Sequence, residues 1–363
     1  MNMNIKHLAI AALLTLSMTA TAAVKDMKFV PGSELTLIGK QQETPDRYAR
    51  IDTIRYQGFT DYQRRHLNQY SAGLALVFNT DSRNIAVDLR FKEKFNGPNS
   101  NLVTGAGVDL YIRRDGQWVY AGSSAGDGKA NAYNIVNDMA EGNKECLLYL
   151  PLFSIIDSVS IGIDPDSNIT ASPNPFSGKV LFFGSSFTHG ASTSRAGMAY
   201  PLQLQRATGL DVRALGVNGN SKMQPSYAHA LADAEADAYV FDAFSNMRAD
   251  EIYDRFDDFV RIIREKHPTT PLIFQQTIYR ERRNFNQRAD KMEAEKMVAG
   301  EDVVKRAMEK DPNIYYIVPS TGNDGITSVD GTHPDDLGYW RWMQSIKQPI
   351  LDILAKYNIH PQP

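Results

Sequence analysis

Five short apolar runs, at 180–183, 212–217, 238–244, 272–278 and 314–318, constrain the fold of this chain more than any other feature. Stretches of helical pattern separate them. The clearest is "DEIYDRFDDFVRIIREKHP", in which Ile252, Phe256, Phe259, Val260 and Ile263 form one apolar stripe. Acidic residues fill its first turn, basic residues its last, and Pro268 follows its end, which are the start and stop signals of a helix. Strand and helix alternating five times imply a parallel sheet, because only crossover connections join parallel neighbours, and such sheets are covered by helices on both faces. Ligands of these sheets bind beyond the carboxyl ends of the strands. That rim is where functional residues are sought.

The preceding part follows a different period. Leu74, Leu76 and Phe78 alternate with their neighbours, as do Ile85, Val87, Leu89 and Phe91. In "VDLYIRRDGQWVY" the pair Asp115-Gly116 separates two strand-like runs, a strong hairpin signal. Long helical periodicity is nearly absent. This half is predicted to be an all-β, jelly-roll-like sandwich. A length of 363 residues suits two domains. The expected boundaries are 23–165 for the sandwich, 166–178 for a linker rich in Pro, Ser and Asn, and 179–358 for the α/β domain.

At the N-terminus, Lys6 and His7 precede an apolar run at 8–18 and a small-residue stretch around Ala20-Thr21-Ala22. The run is too short to span a bilayer, and the order basic, apolar, small is that of a signal peptide over 1–22. An exported protein, periplasmic or secreted, is expected, with no membrane span in the mature chain. Cys146 is the single cysteine, so no intramolecular disulfide can form, and its setting, "ECLLYLPL", is that of a buried small hydrophobe. The formal net charge of −3 gives no sign of a nucleic-acid partner. No metal-ligand spacing such as H-E-x-x-H or paired cysteines occurs, and neither a metal nor another cofactor is expected.

The chemistry gathers at the predicted strand ends. The first run stops at Gly184-Ser185-Ser186 and continues into Phe187, Thr188 and His189. The second leads into "GVNGNSKM" with Gly219, the third into "DAFSNM" with Asn246, and the last is followed by "DGTHPDDLGYW", where Asp330 stands three residues before His333. A serine hydroxyl becomes a nucleophile when a base takes its proton, and histidine is the side chain suited to that at neutral pH. A carboxylate on the other ring nitrogen fixes the tautomer and stabilises the imidazolium. A tetrahedral oxyanion needs donors fixed in advance, which the N–H groups of Ser186 and Gly219 and the amide of Asn246 can supply. These are the parts of an acyl-transfer site. His189 and Arg195 are weaker candidates for contacts with substrate. Ser185 competes with Ser186 as the nucleophile.

"FFGSSFTHG", "GVNGN", the Asn of "FSNM" and "DGTHP" resemble the four blocks of the SGNH (GDSL-type) hydrolases. "GVDLY" at 107–111 is similar to the signature of a subgroup in which a β-rich domain precedes the hydrolase domain. The resemblance covers nearly the whole mature chain. It implies a flavodoxin-like three-layer α/β domain with a five-stranded parallel sheet. By analogy it makes Ser186 the nucleophile, His333 the base, Asp330 its orienter, and Gly219 and Asn246 oxyanion donors. It further implies a serine esterase acting through an acyl-enzyme on short-chain acyl esters, with O-acetyl groups on an oligosaccharide or polysaccharide as the expected substrate. A broad short-chain esterase, thioesterase or lysophospholipase, and an inert carbohydrate-binding protein, are the alternatives. The chain departs from the pattern in two places. Ser185 stands where the family has Asp, and the third block lacks the usual Gly and Asp around its Asn.

Overall fold

The computed structural model describes residues 23–94, 100–127, 129–321 and 324–361; the expected signal peptide lies outside the described residues. The first half contributes β1 (Lys28–Pro31), β2 (Thr36–Ile38), β3 (Ala75–Thr80), β4 (Ile85–Glu93), the short helix α1 (Leu102–Ala106), β5 (Val108–Arg114), β6 (Gln117–Ser124), β7 (Ala132–Val136), β8 (Lys144–Tyr149), β9 (Ile155–Ile163) and β10 (Ile169–Ala171). They form two antiparallel sheets. One has the order β1-β9-β4-β7 and the other β10-β3-β8-β5-β6, with β2 also on β3. The alternating residues Leu76, Phe78, Ile85, Val87, Leu89, Leu110, Cys146, Leu148, Ile161 and Ile163 all lie in one buried cluster. The hairpin between β5 and β6 turns at Asp115 (φ 51°) and Gly116 (φ 77°), both left-handed, as the Asp-Gly pair predicts.

The second half contains β11 (Ser177–Gly184), α2 (Ser186–His189), α3 (Tyr200–Thr208), β12 (Leu210–Gly216), α4 (Pro225–Ala232), β13 (Ala238–Asp242), α5 (Ala249–Arg264), β14 (Leu272–Gln275), α6 (Gln287–Met308), β15 (Ile314–Ile317) and α7 (Asp336–Ala355). The sheet is parallel throughout, in the order β12-β11-β13-β14-β15. Successive residues of β11 face opposite ways. Val180 and Phe182 pack with Tyr200 and Leu204 of α3 and with Trp342, Ile346 and Ile350 of α7. Leu181 and Phe183 share a cluster with Phe256 and Phe259 of α5 and Val303 of α6. The same cluster holds Ile51, Phe59, Tyr149 and Phe153 of the first half, so one apolar core runs across the junction. On α5 the buried stripe is Ile252, Phe256, Phe259, Ile262 and Ile263, while Val260 is only partly covered.

The segment expected as a linker is partly structured. Ile169–Ala171 pairs with Thr80, Asn79 and Phe78 as an edge strand, and β11 begins at Ser177. A three-residue strand carries too few residues to show a period of two. No helix among the described residues is long and apolar enough to cross a membrane.

Candidate active site

The parallel register sets the stage. Gly184 of β11 lies opposite Gly216 of β12 on one side and Asp242 of β13 on the other. The three segments that leave these positions carry Ser185-Ser186, Asn218-Gly219-Asn220 and Ser245-Asn246. All therefore emerge on one edge of the sheet. A Cβ on Gly216 would lie 2.1 Å from the backbone N of His189, so only glycine lets α2 settle against the end of β12.

Ser185 is the N-cap of α2, and its Oγ accepts the N–H of Phe187 at 3.2 Å. Ser186 is the first residue of the helix, where an N–H has no intrahelical acceptor. Its Oγ is 2.9 Å from Nε2 of His333. On the other side of the ring, Nδ1 is 2.8 Å from Oδ2 of Asp330, while Oδ1 of Asp330 accepts the N–H groups of His333 (2.7 Å) and Thr332 (2.9 Å). Burial raises the Asp330 carboxyl, but the hydrogen bonds to it outweigh this and hold it below the usual carboxylate range. An ionised Asp330 leaves the Nδ1 proton on the imidazole and Nε2 free to accept from Ser186. The loop carrying both residues is tied down by Val329 N–H to His333 O (2.9 Å) and Arg282 N–H to Gly331 O (2.8 Å). It leads into Asp335, the N-cap of α7.

Gly219 is exposed and has φ +70°, a left-handed conformation that glycine adopts without strain. Asn246 is half-buried, and its Oδ1 accepts the N–H of Ser221 at 3.2 Å. That bond orients the amide so that Nδ2 remains as a donor, and it couples Asn246 to the loop bearing Gly219. The structure thus brings Ser186, His333 and Asp330 into one hydrogen-bonded chain and places both expected donors on loops at the same edge.

One expectation is corrected, and the surroundings of a second are defined. His189 is not on the substrate face: it is buried, stacked on Phe153 at 4.4 Å, with Nδ1 2.8 Å from Gly216 O and Nε2 2.6 Å from Leu152 O. Arg195 is engaged at the junction of the two halves, where its Nε lies 3.2 Å from Oδ1 of Asp109 and its guanidinium sits 4.5 Å from the Tyr120 ring. Proximity to Ser186 in sequence pointed to His189, and the sandwich packed over this loop buries it.

Sequence reasoning missed the extent of that packing. Arg50, fully buried, donates from Nη1 to Gly216 O at 2.8 Å. Gln63 reaches Asn220 Oδ1 at 3.3 Å, Thr104 Oγ1 donates to Thr193 O at 2.6 Å, and Asp109 accepts the N–H of Gly197 at 2.8 Å. The first half therefore clamps both the loop bearing Gly219 and the segment after Ser186. The available signal was Asp109, a carboxylate inside the apolar strand "GVDLY", where an unpaired charge would be costly.

Burial, with the nearby Arg50 charge, pulls the pKa of His189 down to about 3 despite the two carbonyls. A group whose folded pKa is depressed leaves the unfolded state binding more protons between the two values, so stability falls as pH drops below about 6.5. Between pH 6.5 and 4.5 this contribution is about 2 kcal/mol. Urea midpoints of wild type and His189→Gln across that range check it: the variant should lose less stability on acidification. Parallel slopes would show that His189 does not stay neutral in the fold.

The relationships agree with this geometry. Residues 177–351 match the model of the GDSL-like lipase/acylhydrolase family, and residues 27–169 match the N-terminus of the SGNH hydrolase-type esterases. A crystal structure of a Bacteroides ovatus ATCC 8483 protein assigned as a GDSL-like lipase is 40% identical, covers 91% of this chain and 98% of its own, and superposes with a TM-score of 0.87. The chain is an SGNH hydrolase of the GDSL-like family. This SGNH hydrolase is an esterase, and its two-part fold recurs in more distant structures. The salicylyl-acyltransferase SsfX3 of a tetracycline biosynthetic pathway is 20% identical over 93% of this chain and 99% of its own (TM-score 0.67). A family two carbohydrate esterase from Cellvibrio japonicus is 11% identical over 91% and 98% (TM-score 0.59). No curated protein sequence matches the hydrolase significantly.

Proposed function

We propose that this SGNH hydrolase is an exported serine esterase that removes short acyl groups, acetyl above all, from a carbohydrate. The observation that carries the mechanism is the chain Ser186 Oγ–His333–Asp330, with contacts of 2.9 and 2.8 Å. His333 Nε2 takes the Ser186 proton as Oγ attacks the ester carbonyl. The oxyanion forms within reach of the Ser186 and Gly219 N–H groups and the Asn246 amide. His333 then protonates the leaving alkoxide, and the same base activates water to release the acid from the acyl-enzyme.

Among the residues that follow the strand ends, Asn218, Gly219 and Asn246 keep exposed surface and are small and polar. They suit a compact acyl group on a hydroxylated leaving group, since a long acyl chain would need an apolar lining. Fold neighbours support the carbohydrate half of this reading. One is a family two carbohydrate esterase from Clostridium thermocellum described in complex with cellohexaose. Export rests on the signal-peptide pattern at 1–22.

The test is hydrolysis of 4-nitrophenyl acetate and butyrate by mature protein and by Ser186→Ala, with acetate release from acetylated oligosaccharides measured alongside. Ser186-dependent turnover favouring acetate, together with deacetylation of the sugar, is the expected result. Ser186-dependent turnover that is as fast on butyrate and absent on the sugar would mark a broad short-chain esterase and sink the carbohydrate reading.

A further inference from the structure

The nucleophile turn of this chain lacks the carboxylate that the family resemblance expects at position 185, yet a carboxylate is present in space. Asp242, the last residue of β13, is 1% exposed and lies opposite Gly184 in the sheet register. Its Oδ2 accepts the Ser185 hydroxyl at 2.6 Å, the Ser185 N–H at 3.1 Å and the Thr188 hydroxyl at 3.3 Å. Its Oδ1 accepts the hydroxyl of Ser245, the residue before Asn246. The carbonyl of Ser245 in turn accepts from Arg280 and, at 3.2 Å, from Lys296 Nζ. Both cations are paired with Glu293 at 2.8 Å.

A buried carboxylate is an acceptor only, with room for about four donors, and four converge here. None of them comes from a residue that reacts. One oxygen holds the turn that presents Ser186, and the other holds the turn that presents Asn246. We propose that Asp242 is a positioning residue of this active site: it supplies from β13 the carboxylate missing at position 185 and sets the nucleophile and the Asn246 donor in one fixed relation. This rests on Ser186 being the nucleophile. Burial raises the Asp242 carboxyl, opposed by the Ser185 and Ser245 hydrogen bonds and by Arg280.

The arrangement is an exchange of partners, hydroxyl at 185 and carboxylate at 242, which makes it testable by relocation. Asp242→Asn forces an N–H2 group among hydroxyl and N–H donors. It should lower kcat by about 10²-fold, the scale of a misplaced reacting group, with KM within about threefold of wild type. Asp242→Ser should behave similarly. Ser185→Asp alone sets two carboxylates side by side and should lower both kcat and thermal stability. The double variant Ser185→Asp/Asp242→Ser should recover to within about tenfold of wild type, because the buried carboxylate is restored on the other side of the same contact. Near-wild-type kcat in folded Asp242→Asn, or a folded double variant no faster than Asp242→Ser, would overturn the proposal. Circular dichroism and Tm identify variants that fail to fold, and the double variant decides the matter if Asp242→Asn is one of them. Ser186→Ala, run in parallel, separates this outcome from failure of the nucleophile assignment: residual turnover there would refute that assignment whatever the Asp242 variants do.

Discussion

Replacing His333 by alanine is expected to lower kcat by on the order of 10⁴-fold or more, in a protein that remains folded. The ring joins Ser186 Oγ (2.9 Å) to Asp330 (2.8 Å), and a serine hydroxyl without a base is a poor nucleophile at neutral pH. Its folding contribution is small by comparison. The loop is held independently by the Asp330 side chain, which accepts the Thr332 N–H, and by the backbone bonds of Val329 and Gly331, and the His333 side chain contacts Phe187 edge-on at 5.6 Å. Ser186→Ala should cost about as much, and the double variant little more, because the residues act as one unit. Steady-state hydrolysis of 4-nitrophenyl acetate, with denaturation midpoints of each variant, checks this. A folded His333→Ala variant within tenfold of wild type would mean that another group takes the proton.

The same geometry shows which parts of the molecule the sequence could express. The five parallel strands were legible because each opens as a short, largely apolar run, and their buried residues on both faces are what that run records. The candidate triad was legible because Asp330 and His333 are three residues apart and Ser186 follows a strand end. Asp242 was not, although it closes an otherwise apolar strand, because its partners Ser185 and Ser245 are set by sheet register and register is not local information. The surroundings of His189 and Arg195 were not legible for the same reason. Their neighbours in space, Leu152, Phe153 and Asp109, come from the other half of the chain. No period or spacing links segments that far apart.

Asp109→Ala is expected to destabilise the protein by about 3–5 kcal/mol, the cost of removing one partner from a buried charge network. Asp109 has no exposed surface; it pairs with Arg195 at 3.2 Å and accepts the N–H of Gly197 at 2.8 Å. Arg206 lies 4.0 Å from the Tyr111 ring beside it and donates to the carbonyl of the same Gly197 at 2.6 Å. Without the carboxylate, Arg195 and Arg206 lose their common counter-charge and Gly197 loses its acceptor. Asp109→Asn keeps an acceptor but no charge, so it should cost less than the alanine variant. Urea unfolding at neutral pH measures both. Per folded molecule, kcat should fall less than tenfold, since Asp109 touches no reacting atom and the triad hydrogen bonds do not pass through it. Stability indistinguishable from wild type in Asp109→Ala would show that the apolar core shared by the two halves, rather than this charge cluster, holds the sandwich against the segment behind the nucleophile.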